Sequence, residues 1–134
     1  GHIHEPIWVL AADTTVLAGG EILAKPANFS DATRIWQHLK EPDHCVLTGI
    51  ALWHAGVIAQ RVVTTKVDFT GIPEEEQRAY WDSGEPQDKA GAYAIQGRAA
   101  LYIRGIEGSY SNVVGLPLAE TAALLRQANY PLWL

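Results

Sequence analysis

Two long β-rich runs, Cys45 to Trp53 and Val57 to Phe69, constrain this chain more than any other feature. They are rich in valine, isoleucine, threonine and aromatics, and a short turn around Ala55-Gly56 separates them. That pattern predicts a long antiparallel hairpin, so the fold has to be built around a sheet. Thr48-Gly49 inside the first run predicts a bulge or a close backbone approach. His54, at the turn, reads as a solvated residue rather than a catalytic one.

A second hairpin precedes it. Ile7 to Ala12 is a continuous apolar run and predicts a buried strand that ends on Asp13. Open α/β sheets place ligands at the C-terminal ends of strands, which makes Asp13 a candidate. Thr14 to Leu17 continues extended, Ala18-Gly19-Gly20-Glu21 reads as a tight turn, and Ile22-Leu23 returns toward Lys25-Pro26. Such a hairpin would bring Asp13 and Lys25 near each other. The structural alternatives are a capping or turn aspartate and a solvated edge lysine.

The helices follow from caps and spacing. Ser30 is a good N-cap for a helix over Asp31 to Leu39, with Ala32, Ile35, Trp36 and Leu39 on one face and Trp36 in the core. Pro73 at a first helical position, then Glu74, Glu75 and Glu76, starts a second helix; Tyr80 and Trp81 supply its inner face and Gly84 its C-cap. Ala99 to Ile106 predicts a core strand, and Gly108 to Asn112 a turn whose hydroxyls either contact phosphate or cap themselves. Pro117 starts the last helix, with Leu118, Thr121, Ala122 and Leu125 on one face. Tyr130 to Leu134 reads as an apolar tail docked on the core.

A length of 134 residues suits one domain. The formal charge of −5 argues against binding a nucleic-acid polymer, though not against a small anion met by a few focused lysines. Cys45 is the single cysteine and reads as a buried, inert thiol, so a reducing, cytoplasmic setting is expected. No apolar run reaches the roughly 20 residues of a membrane span, and no signal peptide is visible. Methionine is absent and Gly1-His2-Ile3-His4 looks like a cloning scar or a cut end, so His2 and His4 carry little weight as metal ligands.

Chemistry concentrates in Ser83-Gly84-Glu85-Pro86-Gln87-Asp88-Lys89-Ala90-Gly91-Ala92-Tyr93-Ala94-Ile95-Gln96-Gly97. Glycine and proline punctuate it into turn, short helical turn and turn. Lys89 can neutralise a phosphate, Asp88 or Glu85 can hold a metal, and Gln96 can read a base edge. A plain solvated surface loop is the competing reading.

The run Asp88-Lys89-Ala90-Gly91-Ala92-Tyr93 with Ile95-Gln96-Gly97 resembles the signature of the Maf family of nucleoside triphosphate pyrophosphatases. Ala11-Ala12-Asp13-Thr14 with Lys25-Pro26, the Val46 to Gly49 and Thr64 to Phe69 segments, and Gly108 to Leu125 are similar to further family motifs in the same order. The resemblance implies an α/β fold with a mixed, strongly bent sheet flanked by helices, similar to the inosine triphosphatase architecture. It implies hydrolysis of dTTP or UTP to the monophosphate and pyrophosphate, with a divalent metal (Mg²⁺ or Mn²⁺), and a homodimer. Matched by motif, Asp13 is the proton acceptor, Thr14 and Gln96 bear on substrate choice, and Lys25 and Lys89 meet phosphates. Base and metal ligand are not separable for Asp13.

Family members begin with a Ser-x-Ser-Pro-Arg-Arg segment that has no counterpart before Trp8. The expectation is therefore an N-terminally truncated Maf-like domain that turns over poorly on its own. A role in cell division or septum formation, binding nucleotide without turnover, is the alternative the family name implies.

Overall fold

A computed structural model describes residues 6–133; His2, His4 and Leu134 lie outside them. At its centre is the expected hairpin. β3 (Cys45–His54) and β4 (Val57–Phe69) pair without interruption from Cys45↔Lys66 to His54↔Val57. β1 (Trp8–Ala18) runs along the other side of β3, and β2 (Glu21–Leu23) turns back onto β1 after Gly19-Gly20. With β5 (Ile103–Glu107) beside β4, the sheet order is β2-β1-β3-β4-β5. The α/β class with flanking helices is as expected. Every pairing among the described residues is antiparallel, so the parallel component of a mixed sheet is not found there.

Thr48-Gly49 forms neither a bulge nor a close approach. Gly49 pairs in register with Asp13 and Val62, and the space where its Cβ would lie is empty. The reason is phase. Val46, Thr48, Ile50 and Leu52 are all buried on one face, and an extra residue at Thr48 would turn Ile50 and Leu52 outward. A register shift falls instead at Asp68/Phe69, beside β5.

The helices pack on that inner face. α1 (Phe29–Leu39) buries Ala32, Ile35, Trp36 and Leu39, as its spacing predicts. Its N-cap is Asn28 rather than Ser30: the Asn28 side chain accepts from the Asp31 N–H at 2.8 Å, while Asp31 accepts from Ala27. α2 (Glu74–Asp82) has Pro73 as its N-cap, one residue before the expected position. Its C-cap is Ser83, and Gly84 lies just beyond at φ +83°. Arg98–Tyr102 is a 3₁₀ turn and only Ile103–Glu107 is strand, which shortens the predicted Ala99 to Ile106 strand. The expected turn at Gly108 to Asn112 leads into a short helix, α3 (Tyr110–Val114), capped by Ser109. The self-capping alternative for its hydroxyls therefore holds. α4 (Leu118–Gln127) buries Thr121 and Leu124, and Leu124 packs with Ile50 and Leu52. Leu118, expected on that face, is exposed because the face is rotated toward Leu124.

The opposite face of the sheet is open among the described residues. Val9, Trp53, Ile58 and Val62 are exposed there, so the Ile7 to Ala12 run forms a strand that is not buried. His54 is more than a solvated turn residue. Its ring stacks on Trp8 at 4.5 Å and its Nδ1 lies 2.9 Å from the Ile7 carbonyl. Tyr130 completes the cluster edge-on to Trp8, whereas Trp133 is exposed, so the tail docks only in part.

Candidate functional site

The Ser83 to Gly97 stretch lies across the inner face between α2 and β1. Two 3₁₀ turns, Glu85–Asp88 and Ala90–Ala92, give it its shape. Three contacts tie its centre to the core. The Gly91 N–H donates to the Ala24 carbonyl at 3.2 Å. The Trp36 indole N–H donates to the Ala92 carbonyl at 2.8 Å. The Tyr93 hydroxyl meets His44 Nε2 at 3.0 Å.

Gly91 has φ +78°, and a Cβ there would sit 3.0 Å from Val16 Cγ1, so only glycine fits against β1. Ala92 follows at φ +58°, a left-handed conformation that costs a non-glycine residue about 1–2 kcal/mol. The fully buried setting and the Trp36 bond hold it there.

His44 is buried, and burial pushes its pKa down to about 4. Its Nδ1 faces the Leu39 carbonyl at 3.1 Å. A carbonyl only accepts, so the proton of the neutral ring sits on Nδ1, and Nε2 accepts from Tyr93. This buried pair fixes the Tyr93 side of the loop.

Between the loop, β1 and α3 lies a cavity of about 130 Å³, lined by Thr14, Lys89, Tyr93, Gln96 and Gly115 among others. Three of the sequence candidates, Thr14, Lys89 and Gln96, therefore converge. Its volume compares with the size of a phosphate or part of a ring and falls below the roughly 300–1,000 Å³ of usual ligand pockets. A larger cleft of about 520 Å³ lies between Lys40, Lys66 and Glu107 and holds none of the candidates.

Thr14 is not a free donor. Its hydroxyl donates to the Gly115 carbonyl at 3.1 Å, so the 2.9 Å contact with Thr48 has Thr48 donating. Thr14 thus ties β1 to α3 and offers a ligand only a remaining lone pair. Lys25 does not meet Asp13. Its Nζ lies 3.0 Å from Asp88 Oδ1, and both side chains are exposed. Lys25 holds the Asp88 carboxyl below its usual range, and the pair draws Lys25 to the loop beside Lys89.

Asp13 is mid-strand, not at a strand end, and strand alternation places it on the face opposite Thr14. It is exposed over the open face, in a cleft of about 600 Å³ with Gly49, Gln60 and Val62. β2 covers β1 only at Val16 to Ala18, so Trp8 to Thr15 have no strand on their outer side among the described residues. Asp13 and Thr14 are therefore neighbours across an edge that no strand among the described residues covers.

Glu85, named above as a possible metal ligand, is committed. Its carboxylate accepts from Arg98 N at 2.8 Å, from Ala99 N at 3.2 Å, and from the Tyr80 hydroxyl. Burial, then this carboxylate, push the Tyr80 phenol well up. Among the described residues no group of three or more His, Cys, Asp or Glu side chains could hold a metal. A protein-built metal cage therefore does not fit them.

The sequence offered no role for Thr48 or the Val113 to Gly115 wall, and it gave Glu85 a metal-binding part in place of the capping one it has. Only the wall carried a signal, the Ser-x-x-Asn cap at Ser109 that starts α3. Cys45 is half-buried, and burial raises its thiol pKa, in keeping with an inert thiol.

Among the described residues no helix is long and apolar enough to cross a membrane. Residues 2–128 match the family model described as Maf-like protein. The chain is 48% identical over 129 residues to the dTTP/UTP pyrophosphatase of Hahella chejuensis, covering 96% of this chain and 64% of that protein. It is 51% identical over 130 residues to that of Myxococcus xanthus, covering 96% and 65%, and 51% identical over 128 residues to that of Anaeromyxobacter dehalogenans strain 2CP-C, covering 92% and 66%. The chain thus spans just under two thirds of the length of these relatives.

Proposed function

The chain belongs to the Maf family, and from that premise we propose that the full-length protein hydrolyses dTTP or UTP to the monophosphate and pyrophosphate. The observation that carries the reading is the convergence of Thr14, Lys89 and Gln96 on one cavity, in a chain close to half identical to dTTP/UTP pyrophosphatases. In this reading Gln96 meets the O4 and N3–H edge of the pyrimidine, because an amide offers both an acceptor and a donor. Lys89, with Lys25 beside it, neutralises phosphate oxygens as charge shifts to the leaving group.

Asp13 acts from the other side of the β1 edge. It takes a proton from the attacking water as the water oxygen bonds to the α-phosphorus. The bond from that phosphorus to the α–β bridging oxygen breaks, and pyrophosphate leaves. A nucleotide lying over the edge at Asp13-Thr14 reaches both faces of the strand. A divalent ion, Mg²⁺ or Mn²⁺, is expected to arrive on the triphosphate, since Mg²⁺ is commonly bound by one or two carboxylates plus substrate phosphates. When bound it would supply charge neutralisation, with Asp13 as its protein contact. The lone cysteine fits a cytoplasmic setting, and the family resemblance a homodimer.

The test measures products from a panel of nucleoside triphosphates, with and without Mg²⁺ or Mn²⁺. Pyrophosphate plus monophosphate, fastest with dTTP or UTP, is the expected result. Orthophosphate plus a diphosphate refutes the mechanism. Saturable nucleotide binding without turnover would instead favour a regulatory role.

A further inference from the structure

The loop from Glu85 to Ala99 is closed by one side chain. Glu85 reaches 13 and 14 residues along the chain to accept from the Arg98 and Ala99 N–H groups. These are the first free donors of the 3₁₀ turn Arg98–Tyr102, so Glu85 caps that turn from a distance. The third contact, from the Tyr80 hydroxyl, anchors the carboxylate to α2. Gly97 lies directly on this carboxylate: a Cβ at Gly97 would overlap Glu85 Oε1.

The enclosed segment contains Lys89 and Gln96, which line the cavity with Thr14. Its middle is fixed by Trp36, His44 and Ala24, as described. Ala94 and Ile95 stay buried past Tyr93, and the chain comes out of the core at Gln96. The Gly97 N–H bonds only locally, to the Ala94 carbonyl at 3.0 Å, and Gln96 is exposed. From there the side chain that holds the backbone is Glu85, whose carboxylate lies beneath Gly97 with Tyr80 behind it.

We infer that Glu85 is a positioning residue for substrate choice: it sets where Gln96 points by clamping Gly97, Arg98 and Ala99. The inference rests on the proposed nucleotide reading of the cavity. It assigns Glu85 neither a proton-transfer nor a metal-binding part, because its oxygens are occupied by the three donors. It also accounts for glycine at position 97, where a Cβ would displace the Glu85 carboxylate from its donors.

The test uses the full-length protein and the variants Glu85→Gln, Glu85→Asp, Gly97→Ala, Gln96→Glu and the double variant Glu85→Gln/Gln96→Glu. Each is first checked for a wild-type near-UV circular dichroism spectrum, and kcat and KM are then measured with UTP and GTP. Misplacing a substrate contact by about 1 Å can cost up to about 10²-fold in rate. The expected result is a loss of about 10- to 100-fold in kcat/KM for UTP in Glu85→Gln and Gly97→Ala, with a smaller loss for GTP, so that the preference shrinks. Glu85→Asp, which keeps the charge on a shorter arm, recovers part of it.

If Glu85 acts through Gln96, the two substitutions are coupled, and the double variant has the same UTP/GTP ratio as Gln96→Glu alone. A merely structural clamp would lower stability and leave that ratio unmoved in the folded protein. A folded Glu85→Gln with the wild-type ratio, or independent, multiplicative effects in the double variant, overturns the inference while the proposed function stands. If Glu85→Gln does not fold, the ratio in Gly97→Ala decides in the same way. A wild-type protein that releases no pyrophosphate from any nucleotide removes the proposed function, and the inference with it.

Discussion

Lowering the pH from 7 to 5 should weaken this fold through one residue, His44. The imidazole is fully buried, bonded through Nδ1–H to Leu39 and through Nε2 to Tyr93, and its pKa falls from 6.5 to about 4 in the folded chain. Between those two values the unfolded chain binds a proton that the folded chain refuses, so stability falls as pH falls. The contribution is whole above the unfolded pKa and is lost on the way down to the folded one. Each pKa unit is worth about 1.36 kcal/mol, which gives a loss of about 2 kcal/mol between pH 7 and 5 and about 3 kcal/mol by pH 4.

The aspartates held low by hydrogen bonds, Asp31 and Asp43, start from 3.8 and act below this window. The assay is urea unfolding at pH 7 and pH 5 for the wild type and His44→Gln. The variant is expected to be less stable at pH 7 and to lose about 2 kcal/mol less on acidification. Other histidines cancel in that difference. Equal pH dependence in the two proteins would refute the account of His44 as a neutral buried ring.

Three further outcomes are expected. Asp13→Asn in the full-length protein lowers pyrophosphate release by about 10²–10⁴ with the circular dichroism spectrum unchanged, and near-normal turnover would leave Asp13 a surface strand residue. Gln96→Glu replaces the amide donor with an acceptor, so the ratio of turnover for UTP over GTP drops; an unchanged ratio would place base reading elsewhere. Thr14→Val leaves the Gly115 carbonyl and the Thr48 hydroxyl without their partner and costs about 1–3 kcal/mol in urea unfolding, while Thr14→Ser keeps both bonds and costs less.

What the sequence made legible were the features that depend on local periodicity. The β3–β4 hairpin announced itself through branched residues on both sides of Ala55-Gly56, and the structure reproduces it almost to the residue. The apolar face of α1 needed only the spacing of Ala32, Ile35, Trp36 and Leu39. Boundaries failed where chemistry from far along the chain decides them. Arg98–Tyr102 becomes a 3₁₀ turn because Glu85 satisfies its first N–H groups, and no window around Ala99 contains Glu85. The fate of Ile7 to Ala12 likewise depends on what packs over it. α4 covers the sheet at Ile50 and Leu52, and nothing among the described residues covers Val9.

The candidate site shows the same division, with a sharper consequence at Asp13-Thr14. Adjacent residues in a sequence motif read as partners, yet a strand sends them to opposite faces. In an interior strand such a pair could not serve one ligand, because backbone hydrogen bonds to neighbours on both sides would separate them. Here β2 stops at Val16, and among the described residues the two side chains flank an edge instead of a wall. Lys89 and Gln96 come to the Thr14 side because Trp36, His44 and Glu85 hold the loop there. Lys25 is drawn to the same loop by Asp88 rather than to Asp13 by the hairpin. A basic, amide-bearing cavity thus sits on one side of the edge and an exposed carboxylate on the other. That arrangement suits a ligand with an anionic chain long enough to cross the edge, and a triphosphate is such a chain.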